Sequence, residues 1–167
     1  MIMLLPLLEI PRNLFDSLIV DLAASGGGVK ESGAFLLGVQ DGLRRYVSSY
    51  LRYDKVAPQS SSQHAYIALT AKEMARAWDY CYAVGLQVVA DVHTHPFGPT
   101  QSISDRAHPI VSVAGHVALI VPNFAKGSPQ PRDLGVHIFG GTGRWRSMFD
   151  DEAQAAVRLT SENHEPR

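Results

Sequence analysis

The stretch Leu86-Gln87-Val88-Val89-Ala90-Asp91-Val92-His93-Thr94-His95-Pro96 decides the fold. Successive side chains on a strand point to opposite faces, so Leu86, Val88, Ala90 and Val92 make one apolar face for a core. Gln87, Val89, Asp91, His93 and His95 make the other, which turns polar toward the strand's end. The pattern predicts a central strand over 86–93 with a site at its carboxyl end, a recurring placement in open sheets. Pro96 stops the strand, because it has no N–H to offer a ladder. His93 and His95 share a face roughly 6.6 Å apart along the backbone, so both imidazoles can lean onto one metal ion.

A His-x-His pair alone is weak. Seven histidines in 167 residues produce about 0.3 such pairs by chance. The next segment strengthens it: Ser102-Ile103-Ser104-Asp105 brings a carboxylate ten residues after His95, across a loop with Gly98 and Pro99. Taken alone, Ser-x-x-acid is a helix-capping pattern. Capping and ligation are compatible, since a helix starting at Ser102 holds Asp105 in its first turn. Two histidines, one carboxylate and one open position are the coordination of a catalytic zinc rather than a structural one. Asp91, further back on the histidines' face, reads as an outer partner or a structural acid.

Upstream, residues 2–9 read as a first strand, and Pro11 opens a helix whose apolar face is Leu14, Phe15, Leu18, Ile19 and Leu22. Ser25-Gly26-Gly27-Gly28 ends it and leads to Glu31. From the residues alone Glu31 is either a solvated loop carboxylate beside Lys30 or a catalytic base. Ala34–Gln40 and Arg44–Tyr53 form strands around an Asp41-Gly42 turn. Thr70-Ala71-Lys72-Glu73 is a capping box opening a helix with Met74, Trp78 and Cys81 on one face. Downstream, strands are expected at 116–121, 134–139 and 144–149, and an amphipathic helix at 151–159. Residues 1–160 read as a single domain and 161–167 as a flexible tail. Alternating strands and helices argue for an α/β fold, a mixed central sheet flanked by helices.

Bulk properties remove several classes. Net charge is −1, from 15 basic and 16 acidic residues, which offers no electrostatic footprint for nucleic acid or a membrane. The apolar start, Met1 to Leu8, is short and lacks a positive n-region, so a signal peptide is not expected and the cytoplasm is. A single cysteine, Cys81, excludes an internal disulfide and a Cys-rich zinc site. There is no His-Glu-x-x-His of thermolysin-like peptidases, and no Pro-Cys-x-x-Cys of nucleobase deaminases.

The run His93-x-His95-Pro96-x5-Ser102-x-x-Asp105, with Glu31-Ser32-Gly33-Ala34-Phe35-Leu36-Leu37-Gly38 placed earlier, resembles the JAMM (JAB/MPN) zinc metallopeptidases. The likeness spans the order of elements over most of residues 1–149, and no residue of that signature is missing. It implies a cytidine-deaminase-like α/β fold, Zn²⁺ held by His93, His95 and Asp105, Glu31 as base and acid, and Ser102 as an oxyanion donor. It also implies cleavage after the C-terminal glycine of a ubiquitin-like protein or its conjugates, with E1/E2-like proteins of the same system as further partners. Short stand-alone members of this type serve bacterial conjugation systems, some in antiphage defence. The substrate's tail is expected to add as a strand, with Arg44–Tyr53 and the serine-rich loop after it as the edge. Two rival readings use the same residues or drop their chemistry: a peptidase acting on a sulfur-carrier protein, and a non-catalytic MPN scaffold.

Overall fold

The structure is a computed structural model that describes residues 7–57 and 68–161. Eight strands form one mixed sheet: β1 Leu8–Pro11, β2 Gly33–Asp41, β3 Arg44–Arg52, β4 Gln87–Thr94, β5 Val117–Val121, β6 Gly135–Gly141, β7 Arg144–Met148 and β8 Val157–Thr160. Their order is β7-β6-β5-β4-β2-β3-β1-β8. β4 runs parallel to β5, and β1 parallel to β3 and β8; the remaining neighbours are antiparallel. Among the described residues the α-helices are α1 Arg12–Gly26, α2 Tyr53–Val56, α3 Ala71–Val84, α4 Ile103–Ala107 and α5 Asp150–Ala156.

The sheet separates two cores. One holds Phe15, Leu18, Ile19 and Leu22 of α1 and Ala153 and Ala156 of α5 against Leu36, Ala90, Val92, Leu119 and Val136. The other holds Phe35, Leu37, Tyr53, Ala77 and Cys81, with α2 and α3 packed over them. Burial on this scale is the dominant favourable term, about 1.5–3 kcal/mol for each large apolar side chain. Cys81 is buried here as a packing residue.

Several sequence expectations change. Period-2 alternation along 86–92 does not hold: Leu86 and Val88 pack with the α2–α3 core, whereas Val89, Ala90 and Val92 belong to the other. The cause is a bulge, with Leu36 opposite Ala90 but Leu37 opposite Val88, so Val89 is the extra residue. The bulge leaves Leu86, Val88, Asp91 and His93 on one side of the sheet. Trp78 meets the core ring of Phe35 at 6.3 Å yet stays 43% exposed, and the buried residues of α3 are Glu73, Ala77 and Cys81. The helix expected over 151–159 ends at Ala156, and Val157–Thr160 pairs beside β1 as an edge strand. β3 is not an edge either, lying between β2 and β1; the serine-rich loop after it falls outside the described residues. Of the first strand expected over 2–9, residues 2–6 fall outside the described residues; β1 is seen over Leu8–Pro11, with Pro11 just ahead of α1 rather than inside it. No described helix is long and apolar enough to cross a membrane.

Candidate metal centre

The end of β4 gathers the site. β4 pairs with β2 on one side and β5 on the other, and Gly33 of β2 sits opposite His93. A Cβ at Gly33 would lie 2.5 Å from the Tyr53 ring and 2.7 Å from the Val92 carbonyl, so this crossing needs glycine. Beyond β4, His95 N–H donates to the Val121 carbonyl, and the His95 and Phe97 carbonyls accept from Phe124 and Asn123 N–H. Asn123, Phe124 and Ala125 all hold left-handed backbone, at φ 53, 52 and 62. Three such residues in succession store strain that the surroundings must hold. Here they clamp the turn after the histidines.

Thr94, between the two histidines, faces away from them and holds the Glu31 loop. Its N–H donates to the Ser32 carbonyl and its Oγ1 accepts from Ser32 N–H, both at 2.9 Å. The Ser32 hydroxyl in turn donates to the Leu22 carbonyl in the last turns of α1 at 2.7 Å. Gly27 ends α1 in the left-handed region, φ 58, and turns the chain back toward the sheet. Glu31 is therefore carried to the histidines by its neighbour Ser32. Neither Ser32 nor Thr94 had a signal in the sequence beyond being small hydroxyl residues.

α4 delivers the carboxylate. Ser102 Oγ accepts from Asp105 N–H at 3.1 Å, and Asp105 Oδ2 accepts from Ser102 N–H at 2.7 Å and from its hydroxyl at 2.8 Å. This reciprocal box starts the helix and aims Asp105 back at β4. Capping and approach to the histidines thus coexist in one residue pair.

The donor atoms converge. His93 Nε2 and His95 Nε2 are 3.0 Å apart. Asp105 Oδ1 is 3.3 Å from His93 Nε2, and Asp105 Oδ2 is 3.1 Å from His95 Nε2. Ligands on a tetrahedral zinc at the usual bond lengths of ~2.0–2.1 Å are separated by roughly 3.3 Å. The three separations here, two of them ending on different oxygens of Asp105, are of that size. Glu31 Oε1 stands further off, 3.8 Å from His95 Nε2. Glu31, His93 and His95 also have donor atoms within 4.8 Å of one another, so the wider site holds two imidazoles and two carboxylates. The nitrogen and oxygen donors suit a transition-series cation better than magnesium or calcium, which prefer all-oxygen shells.

The charges fit this arrangement. Burial pushes the Asp105 carboxyl up, but hydrogen bonds from His93 and His95, their charges and the Ser102 N–H together hold it well below the usual carboxylate range. Asp105 is therefore ionised, as a ligand must be. Glu31 is shifted the other way: burial raises it, Asp105 adds to the rise, and the two histidines oppose it. The two carboxyls are pushed apart, a pattern that separates roles among neighbouring acids.

The other histidines divide cleanly. Asp91, on the histidines' face, binds His116, with Oδ2 2.6 Å from Nε2. His137 places Nδ1 2.7 Å from Ser147 Oγ and Nε2 3.0 Å from the Pro99 carbonyl. His108 borders the cavity beside Asp105; His64 and His164 lie outside the described residues.

No model of a known protein family matches the chain. It is 26% identical over 156 residues to a protein of Sinorhizobium fredii (strain NBRC 101917 / NGR234) that bears the name "Probable metalloprotease y4jG", a match covering 91% of this chain and 93% of that protein. Two solution structures share the fold. One, from Desulfitobacterium hafniense, superposes with a TM-score of 0.70 at 14% identity, over 94% of this chain and 95% of its own. The other, from Salinibacter ruber (strain DSM 13855), gives 0.56 at 21% identity, over 95% and 99%. At these identities the structural likeness speaks for the mixed α/β fold alone.

Proposed function

We propose that the chain is a zinc-dependent peptidase of the JAB/MPN type that cleaves after the C-terminal glycine of a ubiquitin-like protein. The metalloprotease name of the Sinorhizobium relative supports the broad class of a metal-dependent peptidase. The observation that carries the reading is the convergence of His93, His95 and Asp105 at 3.0–3.3 Å with Glu31 held just outside them. A scaffold has no use for two buried imidazoles sharing one carboxylate.

In this reading His93, His95 and Asp105 hold the ion, which when bound supplies an acidified water and a polarised carbonyl. Glu31 takes the proton of the attacking water at Oε1 and returns it to the nitrogen of the departing amine as the C–N bond breaks. Burial pushes its carboxyl up, which favours holding the proton in transit. Ser102 Oγ, which otherwise donates to Asp105, turns its hydrogen toward the carbonyl oxygen as negative charge grows there. Thr94 and Ser32 keep Glu31 in register throughout.

The test is incubation of the full chain with a ubiquitin-like protein fused at its C-terminal glycine to a reporter, with zinc and with chelator. Cleavage after the glycine that chelator stops and zinc restores is the expected result. A chain that takes up zinc but releases no reporter from any ubiquitin-like fusion of its own gene neighbourhood overturns the substrate assignment.

A further inference from the structure

Beside the metal centre lies a cavity of about 370 Å³, bordered by His93 and Asp105 and reaching across β4 and β5 to β7. That is within the size range of side-chain and small-ligand pockets. Its walls are apolar: Leu69 and Met74 at the start of α3, Ile110 after α4, and Trp145 on β7. Its polar lining sets two carboxylates, Asp91 and Asp105, beside the imidazoles of His93 and His108. Asp91, 2% exposed, places a carboxylate there with Oδ2 bonded to His116. Gln101 adds a buried side-chain oxygen, Oε1, that has no donor among the described residues. No lysine or arginine lines the cavity among the described residues.

A buried acceptor without a donor is costly, and a ligand carrying N–H groups would supply one. Apolar walls ending in oxygen acceptors suit a long aliphatic stem tipped with N–H donors. Trp145 adds an aromatic surface attractive to a cation. An acidic side chain would meet Asp91 and Asp105, and an aliphatic one would leave Gln101 Oε1 unpaired.

We propose that this cavity is a specificity pocket for a lysine-type side chain on a residue flanking the scissile bond. The assignment deepens the peptidase reading and rests on it, since the cavity opens at the proposed ion-binding side chains. Asp91 and Gln101 are then specificity residues and not part of the proton-transfer machinery.

The test titrates Nα-acetyl-lysine methylamide and its uncharged counterpart, Nα-acetyl-norleucine methylamide, into the zinc-supplemented full chain, followed by amide NMR shifts at Ala118 and Trp145. The lysine probe is expected to bind about tenfold more tightly, the effect of one desolvated charged hydrogen bond. Asp91→Asn keeps the shape of the His116 contact and brings the ratio near one. Ala118→Leu fills the cavity and removes lysine binding; it decides the matter if Asp91→Asn does not fold. Equal affinity for the two probes, no binding of either, or a lysine preference that survives Ala118→Leu overturns the pocket. Peptides carrying lysine or norleucine beside the scissile bond separate the two levels. A lysine preference in binding with no peptide cleaved keeps the pocket and removes the peptidase; cleavage indifferent to lysine, with no probe preference, does the reverse.

Discussion

Two pairs of buried histidines sit in or just beside the same sheet, and burial does not tell them apart. His93 and His95 are each 7% exposed, His116 7% and His137 1%. The difference is where the ring nitrogens point. At His93 and His95 the two Nε2 atoms face each other and one shared carboxylate. At His137 each nitrogen has its own partner, the Ser147 hydroxyl and the Pro99 carbonyl, and His116 gives Nε2 to Asp91 alone. A histidine whose nitrogens are separately satisfied is structural. Two whose nitrogens converge on one carboxylate are placed where a single ion could be shared.

Substitutions can break this contrast directly. His95→Ala should weaken zinc binding by more than about 100-fold, beyond the range seen for outer partners of ligands, whereas His137→Gln should leave the zinc content at one per chain. Elemental analysis after dialysis reads both, and equal zinc in the two variants would erase the distinction. Glu31→Gln should retain zinc yet lower hydrolysis by about 10²–10⁴-fold, the usual range for a lost proton-transfer group. Near-normal turnover there, measured on the reporter fusion, would falsify its role as base. Ser102→Ala should cost about 10²–10³ in kcat if its hydroxyl serves the oxyanion. As a cap alone it should cost only ~1 kcal/mol of stability, and urea unfolding beside kinetics separates the two.

Thr94→Val sharpens a subtler point. It keeps the shape between the two histidines but leaves the buried Ser32 N–H without its acceptor, an expected loss of ~1–3 kcal/mol. Zinc should still bind, while kcat falls because Glu31 drifts. Unchanged kcat with lowered stability would show that Thr94 supports the fold and not the position of Glu31.

A last effect concerns pH. Burial lowers His137 from 6.5 to about 4, with the His93 and His95 charges adding and the Pro99 bond opposing. The ring is neutral in the fold but takes a proton in the unfolded chain within that window, so its contribution is full above about pH 6.5 and is lost as pH falls toward 4, by up to about 3 kcal/mol. Chelated wild type should therefore lose more stability than chelated His137→Gln between pH 7 and 4.5. Parallel losses in urea unfolding would remove His137 as the titrating group.

Legibility differed from one part of the chain to the next. The Thr70 capping box and the start of α4 at Ser102 were readable because a cap is a local hydrogen-bond pattern over four residues. The bulge at Val89 was not, because an extra residue shows only against the partner strand. The end of the last helix was misplaced for a related reason. Val157–Thr160 is too short to declare its period, and its pairing with β1 is a contact between the two ends of the chain. The likeness of the His93–Asp105 run to a metallopeptidase signature depended on residue identity and spacing, which a sequence carries in full.

By itself, then, the sequence determined the residue types and their order: two imidazoles on one strand face, a capped acid after a turn, a glutamate ahead of an apolar strand. Only the tertiary structure decided that Glu31, more than sixty positions before His95, stops 3.8 Å from it. That distance is set by Ser32 bonded to Thr94 and to the end of α1, hydrogen bonds between segments distant in the chain. Such bonds have no spacing rule, because they depend on how the sheet brings β2 and β4 together rather than on the residues along either strand.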